Sequence, residues 1–175
     1  AVVVKNPNSY GAELCKSLLK KIQHKKISFS MEPVYQPKSL GKFSLSTKNV
    51  DSVYFRIIQI DWNYFLTENK YGEELMNSFI QEKVVKSWTR QIKSFGDFQL
   101  HSTELKLESL AKGQYVILAS PDKNFTIKNN AIAYGSFWSS NLSYIYRKND
   151  DETFDVTVLD RETGTPIKGA EVQLY

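Results

Sequence analysis

Cysteine is nearly missing from this chain. Cys15 is the single one in 175 residues, so no internal disulfide can form, and the redox compartment is left open. It has no CxxC partner, and its spacing fits the apolar side of a helix, where a buried thiol behaves as a small hydrophobe. Histidine is almost as scarce. His24 and His101 are the only two, and neither stands in an HxxxH or HxxE spacing, whereas zinc needs several ligands meeting at one point. No metal or cofactor site is expected. No run approaches the ~18 consecutive apolar residues of a membrane-crossing helix. The opening Ala1-Val2-Val3-Val4-Lys5 is too short and lacks the basic start of a signal peptide. Glycine-rich phosphate loops, a GxSxG elbow, solenoid repeats and low-complexity tracts are also missing, so no catalytic set can be assembled and a non-enzymatic role is expected.

What is present is the composition of a folded protein. At 41% hydrophobic and 24% charged residues, disorder is excluded as the default. The net charge of +4 is mild. Its one dense run is Lys20, Lys21, Lys25 and Lys26 around His24, which reads as a solvated helix end favoured by the helix dipole. Nucleic acid is not expected as a partner.

Residues 9–24 read as a helix, with Tyr10, Leu14, Leu18 and Ile22 in one stripe widened by Cys15 and Leu19. Asn8 or Ser9 supplies the cap. Such a stripe must pack on the β-module C-terminal to it or on a neighbour. From Ile27 the period changes to two: Ile27, Phe29 and Met31 alternate with polar residues, as do Phe43 and Leu45. Pro33 and Pro37 mark an edge or a loop, and Val53 to Ile60 is a buried strand after the turn at 48–52. Trp62, Tyr64, Phe65 and Leu66 suggest a loop with large anchors, and 73–82 a short helix. Strands return at 84–92, 100–107 and 115–119, with Lys112-Gly113 as a hairpin turn between the last two. A boundary is placed after Ser120-Pro121-Asp122. Beyond it come strands at 132–138, 142–147, 154–160 and 171–175, the first two separate or one bent strand. Strands and turn signals at this spacing predict a mainly β chain, an antiparallel immunoglobulin-like β-sandwich with a short N-terminal helix.

Other residues have structural readings beside functional ones. Trp62, Trp88 and Trp138 can line a sugar platform, but a lone tryptophan in a β-domain is more often core or interface packing. Glu73-Glu74 and Asp150-Asp151-Glu152 sit at a helix start and in a turn, and a calcium loop needs ligands at alternating positions. The sequons at Asn124 and Asn141 act only in a host that glycosylates them.

The C-terminal stretch is the most informative. Val156-x-Val158-x-Asp160 runs into Thr163-Gly164-x-Pro166-Ile167-x-Gly169-Ala170-x-Val172, with glycines for positive φ and a proline to stiffen the link. This pattern resembles the early hairpin of many extracellular β-sandwich repeats. Upstream, Phe137-Trp138-Ser139-Ser140-Asn141-Leu142 resembles the strand opening a macroglobulin domain, departing from the usual Val-Ser-Asp at 139–141. Leu105-x-Leu107-x-x-Leu110-x-x-Gly113-x-Tyr115-x-x-Leu118 is similar to the end of the preceding domain. Ile27 to Ile60, with its Asn49-Val50 turn and Arg56-Ile57-Ile58, resembles that domain's start.

In this order the motifs resemble the bacterial, Bacteroides-type alpha-2-macroglobulins over roughly 27–175. The resemblance implies macroglobulin-like sandwiches in a protease trap. It implies a helical lead-in at 1–26, a complete sandwich at 27–120, and the first strands of a second, truncated one at 121–175. It implies a scaffold fragment of a secreted or envelope protein, located in the periplasm or cell envelope. Its partners would be neighbouring domains of the parent chain and proteases met through the parent, with self-association through the incomplete half. The C-x-E-Q thioester motif of the family does not match at Cys15, which is followed by Lys16-Ser17-Leu18. Adhesive or carbohydrate-binding modules, and spacers of surface or outer-membrane assemblies, are the alternatives.

Overall fold

Two alternating strands set the architecture. In β3 (Gly41–Lys48) Phe43, Leu45 and Thr47 are buried, and in β4 (Ser52–Ile60) Val53, Phe55 and Ile57 are, each at the period of two that one buried face requires. The computed structural model describes residues 2–61, 63, 64, 69–93 and 95–173. Around this pair stand β1 (Lys26–Met31), β2 (Val34–Tyr35), β5 (Val84–Gln91), β6 (His101–Leu107), β7 (Gly113–Ser120) and β8 (Ala133–Ser139). Among the described residues one sheet has the order β1-β3-β6, and the facing one β2-β8-β7-β4-β5. All long neighbours are antiparallel, and only the short β2–β8 contact is parallel. The chain crosses between the layers several times, as in an immunoglobulin-like sandwich. The mainly β fold read from the sequence is the observed one.

Aromatic rings bridge the layers. Phe43 of one sheet meets Phe55 of the other at 6.0 Å between centroids, and Phe29 touches both, at 5.6 and 6.4 Å. Phe55 also stacks on Trp88 at 4.8 Å and 9°. Tyr115 stacks on Phe137, and Tyr35 meets Phe137 edge-on. Offset and edge-to-face pairs of this kind suit the ring quadrupole.

The continuous apolar run in β7 has a second cause. Its odd residues Tyr115, Ile117 and Ala119 face the inner core, while Val116 and Leu118 join Ile58 and Ile60 of β4 on the outer face. That outer face is covered by α3 (Gly72–Gln81), inserted between β4 and β5, through Leu75 and Phe79 four residues apart. Of the expected aromatic anchors before it, Tyr64 lies 5.6 Å from Phe79 and donates to Ser78 Oγ at 2.7 Å. Trp62, Phe65 and Leu66 lie outside the described residues.

Two expectations change. Lys112-Gly113 is not a hairpin turn, because β6 pairs with β3 while β7 pairs with β4 and β8. The segment is a corner that carries the chain from one sheet to the other. Tyr115 fixes it, its hydroxyl donating back to Ala111 O at 3.1 Å, the bond that defines a tyrosine corner at this crossing. Tyr115→Phe keeps the ring packing and leaves a carbonyl short of a donor. It is expected to cost about 1 kcal/mol in a urea titration. The second change concerns β8, assigned from sequence to the unit after residue 120. It is hydrogen-bonded to β7 from Gly113↔Ser139 to Ala119↔Ala133 and so lies within the first sandwich. The intervening 121–132 loop is held by the Asp122 carboxylate, which accepts from the backbone N–H of Asn124 and Thr126, and by Arg56 lying 4.1 Å over the Phe125 ring.

At the N-terminus α1 (Val2–Lys5) contacts α2 (Tyr10–Gln23), and Ser9 caps α2 by accepting from Ala12 N. The Asn49 amide, in the left-handed turn after β3, donates to Ile22 O and His24 O at 2.7 and 3.1 Å and ties α2 to the sandwich. Only Ala12 of α2 is buried; the stripe itself faces outward, with Tyr10 76% and Leu18 58% exposed. The inward packing expected of that stripe is not made to the sandwich.

Candidate functional site

Ser140 and Asn141 separate β8 from β9 (Leu142–Lys148), which are distinct strands rather than one with a bend. Among the described residues β9 pairs only with β10 (Phe154–Asp160), in a sheet of two. The 171–175 strand is not formed over 171–173, and Leu174 and Tyr175 lie outside the described residues. Directly opposed residues of an antiparallel pair share a face. Tyr144↔Val158 and Tyr146↔Val156 therefore lie on one side with Leu142 and Phe154, and Ile145↔Thr157 and Arg147↔Asp155 on the other. The first side is apolar and open, with Tyr144 67% and Tyr146 66% exposed. Together with Trp138 at the end of the sandwich it borders a cleft of about 720 Å³, reached also by Val172. An exposed apolar face of this kind is the type of surface that serves as an interaction site or a ligand groove.

The hairpin is held at its far end by Asp160. Its carboxylate accepts from the backbone N–H of Glu162 and Thr163 and from the Thr163 hydroxyl, and Asn141 Nδ2 donates to its other oxygen. Gly164, at φ 70°, lets its N–H return to Asp160 O at 2.8 Å. Ile167 N then donates to Val158 O, and Leu159 bridges Pro166, so the chain returns alongside β10 through one isolated bridge. The conformational role read from Thr163-Gly164-x-Pro166 is realised here. Asn141, one of the two sequons, is thereby occupied in a structural bond.

The Thr163 backbone N–H, with its hydroxyl next, holds the Asp160 carboxyl below the usual carboxylate range. A carboxylate whose folded pKa is lowered stabilises fully above the ordinary value of about 3.9 and loses that contribution as pH falls through the lowered folded value. An NMR titration of the Asp160 carboxyl is expected to give a midpoint below about 3.9. Thr163→Val, which removes one donor, moves it upward; a midpoint at or above the ordinary value in the parent chain contradicts this geometry.

The other sequence candidates occupy structural positions. His101 Nε2 sits 2.9 Å from the Asp97 carboxylate, with its ring on Phe95, and His24 ends α2. Among the described residues no three histidine, cysteine or carboxylate side chains converge as metal ligands would. Cys15 is half-buried on α2. Trp88 packs on Phe55, and Trp62 lies outside the described residues. Glu73 and Glu74 fill the first turn of α3, where the dipole favours them, and Asp151 orders the β9–β10 turn by accepting from Thr153. Lys20 and Lys21 lie in the last turn of α2. The open hairpin face beside Trp138 was legible in the sequence only in outline, through the strands at 142–147 and 154–160 and the alternation of the second.

No family model and no curated protein matches the sequence. Among solved structures, the chain is similar to the CARDB domain of the PF1109 protein from Pyrococcus furiosus. The crystal structure, described as a complex with di-metal ions, shares 14% identity at a TM-score of 0.38, covering 66% of this chain and 91% of that one. The solution structure of the same domain gives 12% and 0.36. Red sea bream transglutaminase gives 11% and 0.35, over 81% of this chain and 21% of that protein. The sandwich assignment rests on the strand order itself, and the chain is a β-sandwich module.

Proposed function

We propose that this chain is a non-catalytic scaffold piece of a bacterial alpha-2-macroglobulin-like protease trap, working in the periplasm or cell envelope. In this reading residues 26–139 form one macroglobulin-like unit, and β9–β10 open a second. The observation that supports it is the junction: β8 ends at Ser139 and β9 starts a fresh sheet at Leu142. Such a short link joins sandwiches in series, the arrangement a chain of macroglobulin domains needs. The Leu110-x-x-Gly113-x-Tyr115 corner and the Thr163-Gly164-x-Pro166 turn, which carry the sequence resemblance, each make defined local hydrogen bonds, which supports the reading. Partners are then neighbouring domains of the parent polypeptide and, through it, proteases. A sugar-binding reading has less support, because Tyr144 and Tyr146 are inclined at 33° rather than coplanar.

The test treats the parent polypeptide with a sub-stoichiometric general protease and tracks native-gel mobility, together with access of a large inhibitor to the protease. A discrete cut, a compaction shift and a shielded protease are expected. Unrestricted fragmentation without a shift rejects the trap and leaves the β-sandwich assignment standing.

A further inference from the structure

Along one side of the sandwich the two sheets do not meet. There β5 ends one sheet and β6 ends the other, each with a row of backbone groups that has no strand neighbour among the described residues. Between these edges runs a groove of about 520 Å³. Its floor includes Trp88 and Leu105; Lys86 and Arg90 stand along it on β5, and Glu104, Lys106 and Glu108 on the β6 side. The register explains why. Val53↔Arg90, Phe55↔Trp88 and Ile57↔Lys86 are directly opposed, and Val53, Phe55 and Ile57 face the core, so Lys86, Trp88 and Arg90 all point to the inner side of an edge strand. A bulge at Val85 ends regular pairing on one side, leaving Lys86–Gln91 as an even template.

The charges are not balanced. Lys86 pairs with Glu108 across the groove, and Lys42 pairs with Glu104 at 2.9 Å. Among the described residues neither Arg90 nor Lys106 has an ion-pair partner. Inward cations on an edge strand deter pairing with a neutral or basic strand and complement an acidic one.

We propose that this groove receives an extended acidic segment of another protein, added as a strand along β5. Side chains of such a strand alternate between its faces. An apolar residue then lies over Trp88, and the next inward residue, two positions on, is a carboxylate facing Arg90; Lys106, on the outer side of β6 with Lys42, adds positive charge at the rim. The backbone edge supplies affinity and the Trp88–Arg90 spacing supplies selectivity. The inference does not rest on the protease-trap reading and survives its failure.

The probe is a short fluorescent peptide of repeated valine-threonine-glutamate-threonine, which sets valine and glutamate two positions apart on one face, compared with its lysine-for-glutamate counterpart and with a backbone N-methylated version, against the full 175-residue chain. Saturable anisotropy with the glutamate peptide alone is expected, with amide shifts at 84–91. The surface double variant R90E/K106E, outside the core, is expected to weaken it by about tenfold or more and to favour the lysine peptide instead. Absence of saturable binding, equal binding of both peptides, insensitivity to R90E/K106E, or shifts centred on 142–160 each overturns the proposal.

Discussion

Phe55→Ala is expected to destabilise the chain by about 3–5 kcal/mol, the usual cost of emptying a large aromatic site that cannot collapse. Phe55 is 1% exposed and contacts rings from both layers, with Phe29 and Phe43 on one side and Trp88 stacked on the other. No single neighbour can fill the space, since Phe43 and Phe29 are anchored in a different sheet from Trp88. Whole-domain stability is typically about 5–15 kcal/mol, so the variant should lose a large fraction of it in a urea titration. A change below about 1 kcal/mol would mean that the two sheets are not clamped through this ring.

Phe79→Ala is the companion test for the outer layer. Phe79 is fully buried, between Tyr64 at 5.6 Å and Tyr134 at 5.3 Å, and lies over Val116 and Leu118. A cost of about 3 kcal/mol or more is expected, and its character should differ. Because α3 is an insertion rather than a ladder strand, the variant should first lose hydrogen-exchange protection in 72–81, while the β4–β7 ladder persists. Simultaneous loss everywhere would show that α3 is part of the core's cooperative unit.

The strands were legible because burial on one face writes a period of two, and Phe43/Leu45 and Val53/Phe55/Ile57 carry it cleanly. Helices α2 and α3 were legible for the analogous reason. Partner choice was not, since periodicity records which face is buried and not which strand lies alongside. Lys112-Gly113 therefore read as a hairpin, whereas the pairing of β6 with β3 and of β7 with β4 and β8 makes it a crossing, held by the Tyr115 hydroxyl bond to Ala111. The same limit moved β8: Ser120-Pro121-Asp122 looks like a boundary, but the Asx-type loop at Asp122 returns the chain to β7. The outward set of α2 was also hidden, because a stripe predicts a partner without naming it. In the candidate site the alternation of 142–160 and the glycine turn could be read. The pairing of that face with Trp138 could not, because it depends on how the hairpin leaves the sandwich.

Strands β1 to β8 form a two-layered sandwich, and β9 with β10 forms a separate layer with one apolar face open. Hydrogen exchange read by mass spectrometry on the full chain tests this division most directly. Amides of β4 and β7 are predicted to exchange only through global unfolding. Amides of β9 and β10, a two-stranded sheet with one apolar face exposed, should exchange far faster. Equal, high protection in β9 and β10 would contradict this, placing the hairpin inside the same cooperative core and removing the separate second unit on which the scaffold reading depends.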